Sequence, residues 1–229
     1  MTGQLLHKFR NHGPLSRRTK FLILALVPVY FMAAGLFLQP LNEVLKGIIT
    51  IIREPDFLIT DYIAIGGIGA AFVNAGVMAL ISIAIVYYLG MEMSGHTITS
   101  CFLMFGFSLF GKNILNIWSI MMGVCLYAFY HKTSVTRYIY VGFYGTSLSP
   151  IITQLMTVGH LPLAVRLPFS ILVGMIIGFV LPPLSTHTHY SHKGYSLYNV
   201  GFASGIIATV IVSLMRSFGL QTEARLIWS

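Results

Sequence analysis

Residues 63–89 read IAIGGIGAAFVNAGVMALISIAIVYYL, and no charged side chain interrupts them. Crossing the hydrocarbon core of a bilayer takes about 20 apolar residues of α-helix, and this run is longer than that. Its first half, Gly66-Gly67-Ile68-Gly69-Ala70-Ala71, is rich in small residues. Such residues let helix backbones approach closely in lipid, where no hydrophobic force draws helices together. Asn74 is the only strongly polar side chain inside the run. Two readings of it stand, an interhelical hydrogen bond and a contact with a solute.

The composition extends this reading to the whole chain. Of 229 residues, 56% are hydrophobic and 9% charged, and the mean hydropathy is +0.81. A soluble domain carries about 25% charged residues, so this chain lacks the charge to coat a water-facing surface. The expected fold is all-α, a polytopic transmembrane bundle of about six or seven crossings with interrupted or re-entrant helices. No separate soluble domain fits. Residues 1–20 form a basic segment and residues 21–229 a single transmembrane domain.

The net charge of +8 is concentrated where topology needs it. Lys8, Arg10, Arg17, Arg18 and Lys20 precede the first apolar run, which places the N-terminus in the cytoplasm by the positive-inside rule. No known nucleic-acid motif accompanies these basics, so a topology anchor is expected rather than nucleic-acid binding. Phe21 to Leu38 is too long for the apolar part of a signal peptide and ends in Gln39-Pro40 rather than a cleavage site. Cys101 and Cys125 are isolated in apolar stretches and read as small packing residues.

Pro28 should kink the first helix rather than end it. Leu41 to Ile52 is too short to span and reads as an interfacial amphipathic helix. Four of the six acids, Glu43, Glu54, Asp56 and Asp61, lie in this connection. The stretch from Ser94 to Asn113 is irregular, and its apolar part, Cys101 to Gly111, is interrupted by Gly106 and Ser108. A discontinuous or re-entrant helix suits it, its broken backbone shielded by protein. Further spans are expected at Ile114–Tyr130, at Tyr138–Val158 with a break over 142–150, at 166–181 ending on Pro182-Pro183, and at 197–215. The basic connection 131–137 and a polar, His-rich loop 185–195 then both face the cytoplasm.

Three segments about 50 residues apart share a texture of glycine, hydroxyls and amides: 95–100, 145–150 and 194–199. Broken helices offer unpaired backbone groups, amides favouring anions and carbonyls favouring cations. Transporters build solute sites from such breaks near the midplane. Tight packing and kinking explain each segment equally well. Lys112, between Gly111 and Asn113, is either an intramembrane charge that attracts an anionic solute or a turn residue reaching water. Glu92 and His96 flank this region, as a proton relay or as surface residues. His187, His189 and His192 make an H-x-H-x-x-H run, a weak metal candidate without a remote ligand. No nucleophile elbow, HExxH, phosphate loop or paired intramembrane carboxylates occur, so neither an enzyme nor a cofactor is indicated.

Two stretches carry a family resemblance. Phe105-Gly-Phe-Ser-Leu-Phe-Gly-Lys-Asn113, followed by Asn116-Ile-Trp118, is one; His192-Lys-Gly-Tyr-Ser-Leu-Tyr-Asn-Val-Gly-Phe-Ala-Ser-Gly205 is the other. Both resemble the family called domain of unknown function 1576. The resemblance implies a bacterial multi-pass protein of the inner membrane, without an assigned activity or site residues to carry over. It also implies a protein of two related halves, of which this chain is one, or a homodimer in which each copy plays one half. The expected function is a transporter or channel module for a small polar or ionic solute. Its pathway draws on Asn74, Thr97, Thr99, Ser100, Lys112, Asn113, Thr146, Ser147 and Asn199. The alternative is a non-catalytic membrane subunit working with a partner.

Overall fold

The computed structural model describes residues 15–54, 60–157, 162–193, 195 and 198–220, and every regular element among them is helical. Lys8, Arg10, Asp56 and half of the 194–199 segment (194, 196 and 197) lie outside the described residues.

Helix α1 (Arg17–Leu38) begins on a Ser16 cap and runs through Pro28. Arg17, expected only as a topological charge, is also structural. It donates from Nε to the Met91 carbonyl at 3.0 Å and from its terminal nitrogen to that of Tyr87, closing the end of the helix that α1 packs on. Helix α2 (Leu41–Arg53) buries only Val44, Gly47 and Ile51, the narrow stripe expected of an amphipathic helix.

The long apolar run is not one helix. It breaks at Gly67, whose φ of +85° favours glycine, into α3 (Tyr62–Gly66) and α4 (Ile68–Tyr88). No residue within α4 caps its start. Gln39 does so from the α1–α2 corner, its Oε1 accepting from the amides of Gly69 at 2.8 Å and Ala70 at 3.3 Å.

Helix α5 (Gly95–Phe107) and helix α6 (Trp118–Tyr130) form a hairpin joined by 108–117. Both of its feet meet the start of α7 (Ile139–Gly145): the Thr97 hydroxyl lies 2.6 Å from that of Tyr140, and the ring of Tyr127 lies 5.2 Å from that of Tyr138. The chain therefore enters and leaves this hairpin at one end of the molecule. The expected span at 114–130 starts only at Trp118 because Asn113 and Asn116 hold 113–116 in a turn.

After α7 a 3₁₀ turn (Thr146–Leu148) leads into α8 (Ser149–Thr157), placing the anticipated break inside 142–150. From Ser149 to Leu155 every residue of α8 is buried, so this short helix is enclosed on all sides. Helix α9 (Leu163–His192) corrects two expectations. It does not stop at Pro182-Pro183, and no loop begins at 185. In an apolar surrounding, opening the backbone costs more than the two bonds the prolines forgo, and the hydroxyls of Ser185 and Thr186 donate to the Pro182 carbonyl. Helix α10 (Asn199–Ser217) closes the bundle.

The exterior is strongly apolar along the peripheral helices. Phe169, Leu172, Ile176 and Val180 are exposed on α9, and Phe202, Ile206, Val210 and Leu214 recur every fourth residue on α10. The buried face of α9 mixes Ser170, Gly174, Gly178, Ser185 and Thr188 with Ile177, Leu181 and Pro182. Small residues set the closest approaches. A Cβ on Gly178 would stand 2.0 Å from the Ile120 carbonyl oxygen, and one on Gly123 2.1 Å from that of Met175, which locks α6 to α9. Gly35 and Gly69 join α1 to α4 in the same way. Cys101 packs in the core as expected, whereas Cys125 faces outward from α6. Helices α1, α4, α9 and α10 are long and apolar enough to cross a membrane, and the outward apolar bands point to a membrane protein.

Candidate functional site

The polar side chains of the interior converge on the hairpin tip. Gly111, with φ of +102°, turns the chain after α5. Asn113 and Asn116 then brace each other. The Asn113 Oδ1 accepts from the amides of Leu115 at 3.0 Å and Asn116 at 3.3 Å, and the Asn116 Oδ1 accepts from the Asn113 amide at 3.0 Å. Asn is suited to this because its side chain bonds the backbone two or three residues on.

Three neighbouring helices hold this turn. From α4, Asn74 donates its Nδ2 to the carbonyls of Ser108 at 2.7 Å and Lys112 at 2.9 Å. From α3, the Tyr62 amide donates to the Leu109 carbonyl at 3.1 Å, and its hydroxyl accepts from Asn113 Nδ2 at 3.2 Å. From α8, the Thr153 hydroxyl accepts from Asn116 Nδ2 at 3.0 Å, and that same nitrogen donates to the Gly111 carbonyl. The backbone of the tip lacks a helical ladder, and these side chains supply its missing partners.

Lys112 sits at the centre with 1% of its surface exposed. Its ammonium meets the Met104 sulfur at 3.3 Å and the Phe143 carbonyl at 3.5 Å, and stands 5.2 Å from the centre of the Phe107 ring. The 3₁₀ turn after α7 explains why that carbonyl is available. Donors in such a turn reach three residues back rather than four, and Phe143 accepts the Thr146 hydroxyl at 2.7 Å instead. No carboxylate pairs with Lys112 among the described residues; Glu43 and Glu92 are exposed, and Glu54 and Asp61 sit at helix ends. Several further polar atoms of the interior have no partner among the described residues: the hydroxyls of Ser119, Ser149 and Ser204 and the Gln154 Nε2.

The structure thus brings Asn74, Lys112, Asn113 and Thr146 together. Thr97 and Ser100 belong to the same hairpin but at its foot. Thr97 forms a capping box with Ser94, and Ser100 donates to the Thr97 carbonyl. Thr99 is exposed and Ser147 half-buried, both outside the cluster. Asn199 works elsewhere, clasping α10 to α9 through the Ser185 carbonyl at 2.6 Å, the Thr188 hydroxyl at 2.8 Å and His192 at 2.7 Å.

The histidine run is helical rather than a loop. On a helix His187 and His189 lie about 200° apart, so the three rings cannot converge, and no group of three metal-binding side chains occurs among the described residues. Glu92 and His96 are exposed. Sequence reasoning passed over Tyr62, Asn116, Thr153 and Gln154. The amide within the apolar run 138–158 was a signal for Gln154, and the three-residue step from Asn113 was one for Asn116.

No curated protein and no solved structure matches this chain. The profile of a family described as protein of unknown function (DUF1576) matches residues 41–217, most of the chain, and the protein belongs to that family.

Proposed function

We propose that the protein is a transporter or channel module for a small polar or ionic solute, with its site at the hairpin tip between α5 and α6. One observation carries this: a turn dense in asparagine, with a buried lysine, sits in the core of an apolar bundle. Broken backbone and an unpaired charge are costly at membrane depth and mark function there. α5 has 13 residues, about 20 Å at 1.5 Å per residue. The hydrocarbon core is about 30 Å thick. A hairpin of that reach, with both feet at one end, re-enters rather than crosses. In this topology the N-terminus is cytoplasmic, the four long helices and the 139–157 run cross, and the chain adopts the multi-pass arrangement of a cell-membrane protein. The six or seven crossings expected from hydropathy include the hairpin.

A second reading, a subunit that acts beside a partner or a second copy, draws on α10. A Cβ added to Gly205 would meet nothing within 4 Å, and this glycine lines a groove with Phe202, Ile206, Thr209 and Val210. Small residues of this kind admit a neighbouring helix.

The two readings separate by accessibility. In a background with Cys101→Ser and Cys125→Ser, the conservative changes Thr146→Cys and Ser149→Cys should react with a membrane-impermeant thiol reagent from one side of sealed vesicles. Val210→Cys, on the outward face of α10, should stay protected. Protection of all three positions from both sides, in folded protein, sinks the pathway.

A further inference from the structure

The charges of the described residues divide unevenly between the two ends of the bundle. Arg17 binds the end of α4, and the short connection 89–94 brings that end to the foot of α5, so α1 begins beside the hairpin feet. α6 runs to the same place, and α9 runs parallel to it: Gly123 faces Gly178, and farther along Tyr127 and Tyr130 face Phe179. This end therefore carries Arg18, Lys20, Lys132, Arg137 and Lys193, with Glu92 as its only acid among the described residues. Around α2 and α3, at the other end, Lys46 and Arg53 are interspersed with Glu43, Glu54 and Asp61.

Local structure does not require these cations. Arg18 and Lys20 lie in the first turn of α1, where the helix dipole disfavours positive charge. Lys132 and Lys193, at φ of +52° and +50°, are the non-glycine residues with left-handed backbone among the described ones. Lys132 closes α6 in a Schellman motif, its amide donating to the Phe129 carbonyl at 3.0 Å and the Thr133 amide to that of Ala128 at 2.9 Å. The same motif closes α4 with Gly90 and α10 with Gly219, and glycine takes that backbone without strain. A cation beyond a helix end complements its dipole, but that account fails at Arg18 and Lys20. Exposed tyrosines collect at the same end: Tyr88 at the close of α4, Tyr130 at the close of α6 and Tyr190 near that of α9. Such rings settle at the level of lipid headgroups, and a soluble partner would not need them. We infer that this end of the bundle is a docking surface for anionic phospholipid headgroups, with Lys132 and Lys193 reaching their phosphates. In the topology proposed above it faces the cytoplasmic leaflet, whose negative surface attracts clustered Lys and Arg. The inference is independent of whether the chain transports a solute or serves a partner.

The test is lipid retention by the full chain. Protein is reconstituted in equimolar phosphatidylglycerol and phosphatidylcholine, extracted into dodecyl maltoside and washed, and the retained lipid is quantified by mass spectrometry. The expected result is an enrichment of phosphatidylglycerol by about twofold or more over the starting mixture, lost in the double variant Lys132→Gly/Lys193→Gly. Glycine relieves the left-handed backbone at both positions, so this variant should keep its fold; should it not, Arg18→Gln/Arg137→Gln must show the same loss. Lys46→Gln/Arg53→Gln, at the other end, should keep the wild-type enrichment. Absence of enrichment in wild type overturns the inference, as does enrichment that the lysine variant retains. An equal loss in Lys46→Gln/Arg53→Gln also overturns it, because the preference then follows overall charge rather than this surface.

Discussion

Asn74→Ala is the sharpest probe of whether the tip is held as described. Asn74 is 7% exposed and donates two hydrogen bonds, at 2.7 and 2.9 Å, to carbonyls of a turn that has no helical ladder of its own. Interhelical hydrogen bonds in membrane proteins contribute about 0.6 kcal/mol on average and about 1.7 at most. Losing two together, with both carbonyls left buried, should cost about 1–3 kcal/mol. For a chain of this size that is roughly 3–10 °C in Tm. Ser82→Ala is the matched control on the same helix. Ser82 is fully buried, but its hydroxyl donates to the Ala79 carbonyl one turn back within α4, where the helix itself supplies the partner. That change should cost under about 0.5 kcal/mol. The assay is the fraction of monodisperse protein remaining after heating in detergent, read by size-exclusion fluorescence. Equal midpoints for the two variants would refute the claim that Asn74 holds the tip.

Two further outcomes follow from the packing. Gly178→Ala places a methyl group 2.0 Å from a backbone oxygen of α6, whereas Gly205→Ala meets nothing within 4 Å; the first should lower the midpoint by at least about 1–3 kcal/mol equivalent and the second should not, in the same heating assay. Gln39→Ala removes the side chain that caps α4, so it should cost about 1 kcal/mol, with faster proteolysis near Gly67 in limited digestion as the local readout.

The helices were legible in the sequence wherever length and apolarity were enough. α1, α2 and α10 fall within a few residues of expectation, because an apolar run at membrane depth has no alternative to helix. The same rule explains the errors. Pro182-Pro183 and the histidines after it read as a stop and a loop by the logic of water-exposed chains, yet α9 continues to His192. Conversely Gly67 ends a helix inside an unbroken apolar run, and hydropathy is blind to a φ of +85°. At the site, Lys112, Asn113 and Asn74 stood out because polar residues are rare in apolar runs. Their partners did not. Tyr62, Thr153 and Gln154 sit on other elements, and only the three-dimensional return of α5 and α6 brings those elements to the tip. The shared texture of 95–100, 145–150 and 194–199 proved to be three different devices: a capping box, a 3₁₀ break and, at Asn199, an interhelical clasp.

How the parts are joined decides which of them can move. α1 and α4 meet through Gly35 and Gly69, and α6 and α9 through Gly123 and Gly178, at distances where backbone touches backbone. Such seams gain van der Waals contact along their length and have no slack. The tip has no seam. It is tied to α3 and α4 by the bonds of Tyr62 and Asn74, and to α8 by the bond between Asn116 and Thr153. Parting that last bond costs about one interhelical hydrogen bond, on the order of 0.6 kcal/mol, far less than separating either seam.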